Sequence, residues 1–153
     1  MDLLDDEVVL LWKALNNHHV EYILVGGFAT NLHGYSRYTA DLNIWIKDAP
    51  QNRKKLRKAI DEIGLGDLNE LETMQFVPGW SSILLESGFT VNLMSYLKGF
   101  PQERFEDCYK IASTAMIHDV EVKFLHKQHL IESKQATARP KDLLDIEELN
   151  KLD

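Results

Sequence analysis

The segment that most constrains the fold is a short apolar run that ends in two consecutive glycines, Gly26 and Gly27. Residues 22–25 read YILV, an apolar and partly β-branched composition that is typical of a buried strand. A glycine pair directly after such a strand predicts a tight turn, and residues 28–33 then predict a short helix. A strand, a glycine turn and a helix in direct succession indicate an α/β fold.

A second strand is predicted at residues 41–46 (DLNIWI), where polar and apolar side chains alternate at the start of the segment. Successive side chains of a strand point to opposite faces, so the apolar residues would face the core. Asp41 and Asn43 would then emerge together on the other face. Because two oxygen-bearing side chains so placed can reach one hydrated cation, this strand is a candidate ligand site.

The rest of the chain predicts further helices and strands of ordinary length. Helices are expected near residues 3–15, 51–63, 101–108, 126–137 and 140–152, and strands at residues 73–77, 81–86, 89–94, 112–117 and 120–125. The prediction is therefore a mixed β-sheet flanked by helices, with a helical C-terminal tail. A chain of 153 residues fits one domain, with a core of about residues 20–125 and C-terminal helices of about residues 126–152.

Charge and composition narrow the range of partners. The chain has 17 basic and 24 acidic residues and a formal charge of −7, which disfavours a broad surface for duplex nucleic acid. Cys108 is the only cysteine, which fits a reducing compartment. No apolar run approaches the ~20 residues of a membrane-spanning helix, and the first residues lack the basic start of a signal peptide. We therefore expect a soluble, cytoplasmic protein without a membrane partner.

Three stretches of the sequence resemble a known family. GGFATNLHGYSRYTADLNI, residues 26–44, contains a glycine pair, then thirteen residues, then Asp41-Leu42-Asn43. This order is similar to that of the polymerase-β-type nucleotidyltransferase superfamily in its small bacterial form. FTVNLMSYLKG, residues 89–99, resembles a later strand of that family. LIESKQATARPKDLLDIEEL, residues 130–149, resembles the C-terminal helices of a subgroup that includes toxin-type and antibiotic-modifying transferases.

The resemblance implies a reaction and its ligands. Members of the family transfer a nucleoside monophosphate from a nucleoside triphosphate (NTP) to a hydroxyl acceptor, using Mg²⁺ held by two carboxylates and a third carboxylate as the base. The matching positions here are Asp41, Asn43 and Asn92, so only one is a carboxylate. An amide oxygen can ligate Mg²⁺ weakly, but it carries no charge and cannot act as a base. The resemblance therefore implies an attenuated or inactive site, with at most weak metal binding at Asp41 and Asn43.

Six residues are candidates for nucleotide binding: Gly26, Gly27, Arg37, Thr39, Lys134 and Arg139. The glycine pair lets the backbone approach phosphates, and the N–H groups that open the next helix favour negative charge. Arg37 is expected to contact the substrate or to brace Asp41, and Thr39 to support the same loop. Lys134 and Arg139 follow from the resemblance of the C-terminal segment. The acidic residues of the last helix, Asp142, Asp145, Glu147 and Glu148, predict an exposed acidic face.

Several alternatives remain open from the sequence. The protein is either a full or attenuated transferase, with a small molecule, a protein or an RNA end as acceptor, or a non-catalytic nucleotide-binding or partner-binding module, such as a toxin–antitoxin component. A homo-oligomer is compatible with both. The two asparagines fit a natural lineage that kept the pocket, and equally a deliberate replacement of aspartate. Asp48 and Glu86 are candidate replacement carboxylates.

The histidines are expected to be structural. His33 is predicted to pack against the core. His126 and His129 lie three residues apart on a predicted helix, but no third ligand is near them in the sequence, so zinc is not expected.

Overall fold

The computed structural model describes residue 3 and residues 5–152. In that part of the chain the helices are α1 (Asp6–Asn17), α2 (Gly26–Leu32), α3 (Pro50–Glu62), α4 (Phe105–Lys110), α5 (Lys127–Thr137) and α6 (Pro140–Asn150). The strands are β1 (Tyr22–Val25), β2 (Asp41–Ile46), β3 (Ser82–Leu84), β4 (Thr90–Met94), β5 (Ser113–Ile117) and β6 (Val120–Phe124). Short 3-10 helices cover Asn69–Glu72 and Gln102–Arg104.

The described strands form one mixed sheet in the order β3-β4-β2-β1-β6-β5. The two central strands, β2 and β1, are antiparallel, and each has a parallel neighbour on its other side, β4 and β6 respectively. Antiparallel hairpins form both edges. The predicted mixed sheet flanked by helices is therefore confirmed, and its register sets Asn43 directly opposite Asn92.

The core is built by helices whose apolar faces follow helical spacing. In α1, Val8, Leu11, Trp12 and Leu15 are buried at positions i, i+3, i+4 and i+7, which places them on one face. Trp45 of β2 packs edge-on against aromatic rings of the segment after β4, and its indole Nε1 donates a hydrogen bond to the Ser95 carbonyl. These contacts fix β2 at the centre of the sheet.

The basic helix α3 is less exposed than its charge suggests. Arg53 is buried, pairs with Asp48 at 2.7 Å, and donates hydrogen bonds to the carbonyls of Leu71 and Met74. Its guanidinium also lies 4.0 Å from the centre of the Phe76 ring. Arg53 therefore ties residues 71–76 to the helix.

That attachment explains one wrong prediction. Residues 73–77 do not form the expected strand. The Phe76 side chain is buried, and its carbonyl accepts hydrogen bonds from the backbone N–H and the hydroxyl of Ser95. The segment thus packs against the core through one aromatic ring and Arg53, without a ladder of strand hydrogen bonds.

The other differences concern boundaries. The expected helix at residues 101–108 is a 3-10 turn followed by α4, the strand at 81–86 shortens to β3, and α2 begins at Gly26 rather than at residue 28. Leu3 lies in a turn before α1, and Leu4 of the predicted first helix lies outside the described residues.

None of the helices in the described ranges combines the length and apolar composition needed to cross a bilayer.

Candidate functional site

A cleft of about 640 Å³ lies at the end of the central strands where β1 leads into α2. Its floor is formed by the glycine turn and by the first residues of β2 with the facing part of β4. One wall comes from the loop that precedes β2, and the other from α5 and the start of α6. All six candidate nucleotide-binding residues and all three candidate catalytic positions line this cleft.

The centre of the floor is a pair of amide side chains. The Asn92 Nδ2 donates a hydrogen bond of 2.9 Å to the Asn43 Oδ1 across the parallel β2–β4 pair. Asp41 lies two residues before Asn43, so its side chain is on the same face of β2. Asp41, Asn43 and Asn92 therefore lie together beside the glycine turn, while their chemical roles stay a prediction.

The glycine turn packs directly on this centre. Gly26 has a φ of +75°, and a Cβ atom there would lie 2.6 Å from the Asn43 Nδ2. A Cβ atom on Gly27 would lie 2.4 Å from the Thr39 Oγ1 and 3.3 Å from an Arg37 guanidinium nitrogen. Only glycines allow the chain to pass this close to β2 and to the preceding loop.

Substitution of Gly26 tests this packing. Gly26→Ala is expected to destabilise the protein through a strained positive φ and through displacement of Asn43, together about 2–4 kcal/mol. Gly79→Ala is the matched control, because Gly79 has a φ of +81° but nothing within 4 Å of an added Cβ. Urea unfolding of both variants isolates the contact, and equal losses would show that Asn43 moves aside freely.

A buried carboxylate organises the basic wall. Both oxygens of Asp145 accept hydrogen bonds of 2.7 Å from Arg37, and Oδ2 also accepts one of 2.7 Å from the Lys134 Nζ. Asp145 is 0% and Lys134 5% exposed. Of the two roles expected for Arg37, contact with the substrate stays a prediction, whereas the guanidinium is bonded to Asp145 of α6 rather than to Asp41.

The pKa values of all three groups in this buried cluster are shifted. Burial alone would raise the pKa of Asp145, but the hydrogen bonds from Arg37 and Lys134 outweigh it and hold the pKa below its usual value. The pKa of Lys134 is lowered, because the desolvation exceeds the opposing effect of its bond to Asp145. The bond to Asp145 raises the pKa of Arg37. The carboxylate is thus ionised at neutral pH and fixes Arg37 at the cleft.

A second buried carboxylate, Asp142, lies in the first turn of α6. Asp142 accepts hydrogen bonds from the Arg139 backbone and guanidinium and from the Thr137 hydroxyl, at 2.7–3.1 Å. Burial opposes ionisation, but these bonds lower the pKa of Asp142 to about 2. The Arg139 side chain remains 58% exposed at the cleft.

The predicted acidic outer face is therefore wrong for two of its four members, since Asp142 and Asp145 are buried. Their spacing could have revealed this, because Asp142, Asp145 and Leu149 stand at i, i+3 and i+7 on one helical face. The sequence also gave no reason to single out Lys98 and Lys141, which line the cleft and are exposed.

The remaining candidates lie away from the cleft. Asp48 follows β2 at its far end and pairs with Arg53, and Glu86 is exposed in the β3–β4 turn. Neither lines the cleft, so neither replaces a missing carboxylate. His33 packs edge-on to Phe124, and its Nε2 is hydrogen-bonded to the Leu125 carbonyl at 2.8 Å.

The donor set of the floor does not fit a tightly held Mg²⁺. The ion prefers carboxylate charge and gives up water reluctantly, whereas Asp41 is the only charged oxygen ligand among the three floor positions. The Asn43 oxygen is already engaged by Asn92. Among the residues that the structure describes, no group of three or more His, Cys, Asp or Glu side chains is arranged to hold a metal ion.

The sheet order, the glycine turn, the polar floor and the C-terminal helices together form a nucleotidyltransferase-like fold. The lincosamide antibiotic adenylyltransferase LnuA, solved with lincomycin bound, matches with a TM-score of 0.63 and 16% identity over 100% of both chains. An antigenic nucleotidyltransferase-like protein from Paracoccidioides brasiliensis matches with a TM-score of 0.56 and 18% identity, over 94% of this chain and 74% of that one.

A protein from Thermotoga maritima, provisionally assigned as a nucleotidyltransferase, matches with a TM-score of 0.55 and 14% identity, over 92% of this chain and 86% of that one. At these identities the likeness is one of fold. No family model matches the sequence, and no curated protein sequence matches it.

Proposed function

We propose that this protein binds a nucleoside triphosphate in the cleft and transfers its nucleoside monophosphate poorly or not at all. The observation that carries the proposal is the hydrogen-bonded pair of Asn43 and Asn92 at the centre of a cleft in a nucleotidyltransferase fold. The fold and the cationic lining support binding, and the amide pair supports attenuated transfer.

The charge of the cleft supports an anionic ligand. Its lining contains five basic residues and two acidic ones among the described residues, although the whole chain carries a formal charge of −7. The basic residues are Arg37, Lys98, Lys134, Arg139 and Lys141. A concave site with excess positive charge attracts anions such as a polyphosphate. Its volume of about 640 Å³ lies in the range of small-molecule sites.

The carboxylates of the cleft support weak catalysis. In the described part of the chain, those that line it are Asp41 and Asp142. Asp142 already accepts hydrogen bonds from Thr137 and Arg139, so it is not available as a base or metal ligand. Asn92 cannot accept a proton from a hydroxyl acceptor, so Asp41 alone would have to serve as base and metal ligand.

For any residual transfer, we propose a small hydroxylated molecule as acceptor, since LnuA was solved with lincomycin in place. The amide pair equally favours a second function, a non-catalytic module that keeps the cleft for sensing a nucleotide or for contact with a partner protein. Both functions belong in the cytoplasm, which the single buried cysteine also fits.

Calorimetric titration and a transfer assay test the proposal together. We expect saturable binding of at least one NTP, and binding at least tenfold weaker in Arg139→Gln, which removes an exposed cleft cation. With α-labelled NTP and a set of hydroxylated small molecules, proteins and RNA ends, label transfer and pyrophosphate release should stay at background. Absence of binding to all four NTPs would refute the proposal, and rapid pyrophosphate release would refute the attenuated site.

A further inference from the structure

We propose that the cleft binds the nucleoside triphosphate free of divalent metal, with the protein's own amides and lysines taking the place of the ion. This inference rests on the proposed nucleotide binding and specifies the form of the ligand. It follows from the charge of the floor, from the hydrogen-bonding groups of the amide pair and from two lysines that have no carboxylate partner within the described part of the chain.

The first step concerns charge. With carboxylates at positions 43 and 92, as the family resemblance implies, the floor would carry two more negative charges than it does. Changing both to amides adds the equivalent of two positive charges, which is the charge of one Mg²⁺ ion. With Asp41 as the one carboxylate left on the floor, the repulsion between carboxylates and phosphates that a cation would relieve is much smaller.

The second step concerns the groups that the amide pair presents. The Asn43 oxygen is taken by Asn92, while the Asn43 Nδ2 points to Gly26 at the glycine turn. Its N–H groups and the second N–H of Asn92 are donors, and phosphate oxygens are acceptors. With these N–H donors and Asp41 as its one carboxylate, the floor suits a phosphate better than a floor of three carboxylates would, and it suits a cation less well.

The third step concerns Lys98 and Lys141. Lys98 lies in the turn after β4 and Lys141 in the first turn of α6, yet both line the cleft. Among the described residues, no carboxylate lies within ion-pair distance of either one. They are therefore available to a ligand that brings its own negative charge.

The charges of the cleft and its wall sum to a cationic site. Arg37 and Lys134 share one carboxylate, Asp145, and Arg139 is balanced by Asp142. The positive charges of Lys98 and Lys141 exceed the negative charge of Asp41 by one. Together with the positive charge left over beside Asp145, they give the site two net positive charges. A metal-free triphosphate, with about four negative charges, is attracted more strongly than its Mg²⁺ complex with about two.

Titration of ATP in EDTA and in excess Mg²⁺ tests the inference. We expect the dissociation constant in EDTA to be about 3–10 times lower than with Mg²⁺. The Lys98→Gln/Lys141→Gln double variant should bind metal-free ATP at least tenfold more weakly. Lys54→Gln/Lys55→Gln, an equal change of charge on the exposed face of α3, is the matched control and should bind as the parent does.

The outcomes separate this inference from the proposed function. Binding that requires Mg²⁺ would overturn the metal-free form and leave nucleotide binding intact. Absence of binding in both buffers would overturn both. A loss of affinity in the control equal to that in the cleft variant would show that net charge, rather than Lys98 and Lys141, holds the ligand, and would also overturn the inference.

Discussion

Replacing Asn43 and Asn92 together by aspartate is expected to make the stability of this protein depend on divalent metal. The two positions are register partners whose side chains already touch, and Asp41 lies on the same face. Three converging carboxylates are the ligands that Mg²⁺ prefers. With 10 mM Mg²⁺ and a dissociation constant of about 0.1 mM, the bound ion would add about 2.7 kcal/mol, or about 5–10 °C in melting temperature. The parent protein should respond much less.

Without metal, the double variant should be less stable than the parent by about 1–3 kcal/mol. The hydrogen bond of 2.9 Å between Asn92 and Asn43 would become a contact between two carboxylates. Repulsion raises the folded-state pKa of one of them above its unfolded value. Such a group contributes stability at low pH that is lost as the pH rises through the raised pKa. The free energy of unfolding of the metal-free variant should therefore increase as the pH is lowered from 7 to 5.

Thermal melts of the parent, both single variants and the double variant, each in EDTA and in Mg²⁺, provide the measurement. Asn43→Asp alone keeps the bond from Asn92, because a carboxylate can accept it, so the single variants control for charge without the facing pair. Equal metal responses in all four proteins would show that these positions do not form a metal site. If the site is a dormant transferase, the double variant should also regain label transfer, since the metal-binding carboxylate and the catalytic base are restored together.

The centre of the fold was predictable because its signals are local. Alternation in β2 and the glycine pair after β1 each depend on neighbouring residues, and those two elements position Asp41 and Asn43. Register partners on adjacent strands then follow from the parallel β2–β4 pairing. The family resemblance supplied Asn92, because no local pattern distinguishes it from any polar strand residue.

The supports of the site were not predictable because they join distant parts of the chain. Arg37 and Asp145 are 108 residues apart, and nothing near either one indicates the other. Charged residues on a terminal helix are usually solvated, so the sequence predicts that Asp142 and Asp145 face the solvent. Residues 73–77 have the composition of a strand, but tertiary contacts through Phe76 and Arg53 determine their conformation.

Asp145→Asn is expected to cause a large loss of stability and to weaken nucleotide binding. The buried carboxylate is the shared partner of Arg37 and Lys134, and the amide would leave both cations without a counter-charge. Removing one partner from a buried ion pair costs about 3–5 kcal/mol, a large part of the 5–15 kcal/mol that typically stabilises a domain. Arg37, released from α6, would no longer be fixed at the cleft.

Urea unfolding and ATP titration measure both effects, with Glu147→Gln on the same helix as a control. The Glu147 side chain is 66% exposed, so its loss should change stability by no more than about 0.5 kcal/mol. If Asp145→Asn does not fold, Lys134→Met provides a milder test, because the pair of Arg37 with Asp145 remains. A stability loss in Asp145→Asn no larger than in Glu147→Gln would show that Asp145 does not organise the wall.

The difference in free energy of unfolding between the parent and Asp145→Asn should depend on pH if the lost ion pair causes the loss of stability. The folded-state pKa of Asp145 is depressed, so its contribution is fully present above the unfolded value near 4 and is lost as the pH falls through the folded pKa. The deficit of Asp145→Asn should therefore be largest at neutral pH and shrink below about pH 4. Asp142, whose pKa is lowered to about 2, titrates in both proteins and cancels to first order. A deficit that stays constant from pH 7 to pH 3 would attribute the loss to packing rather than to charge.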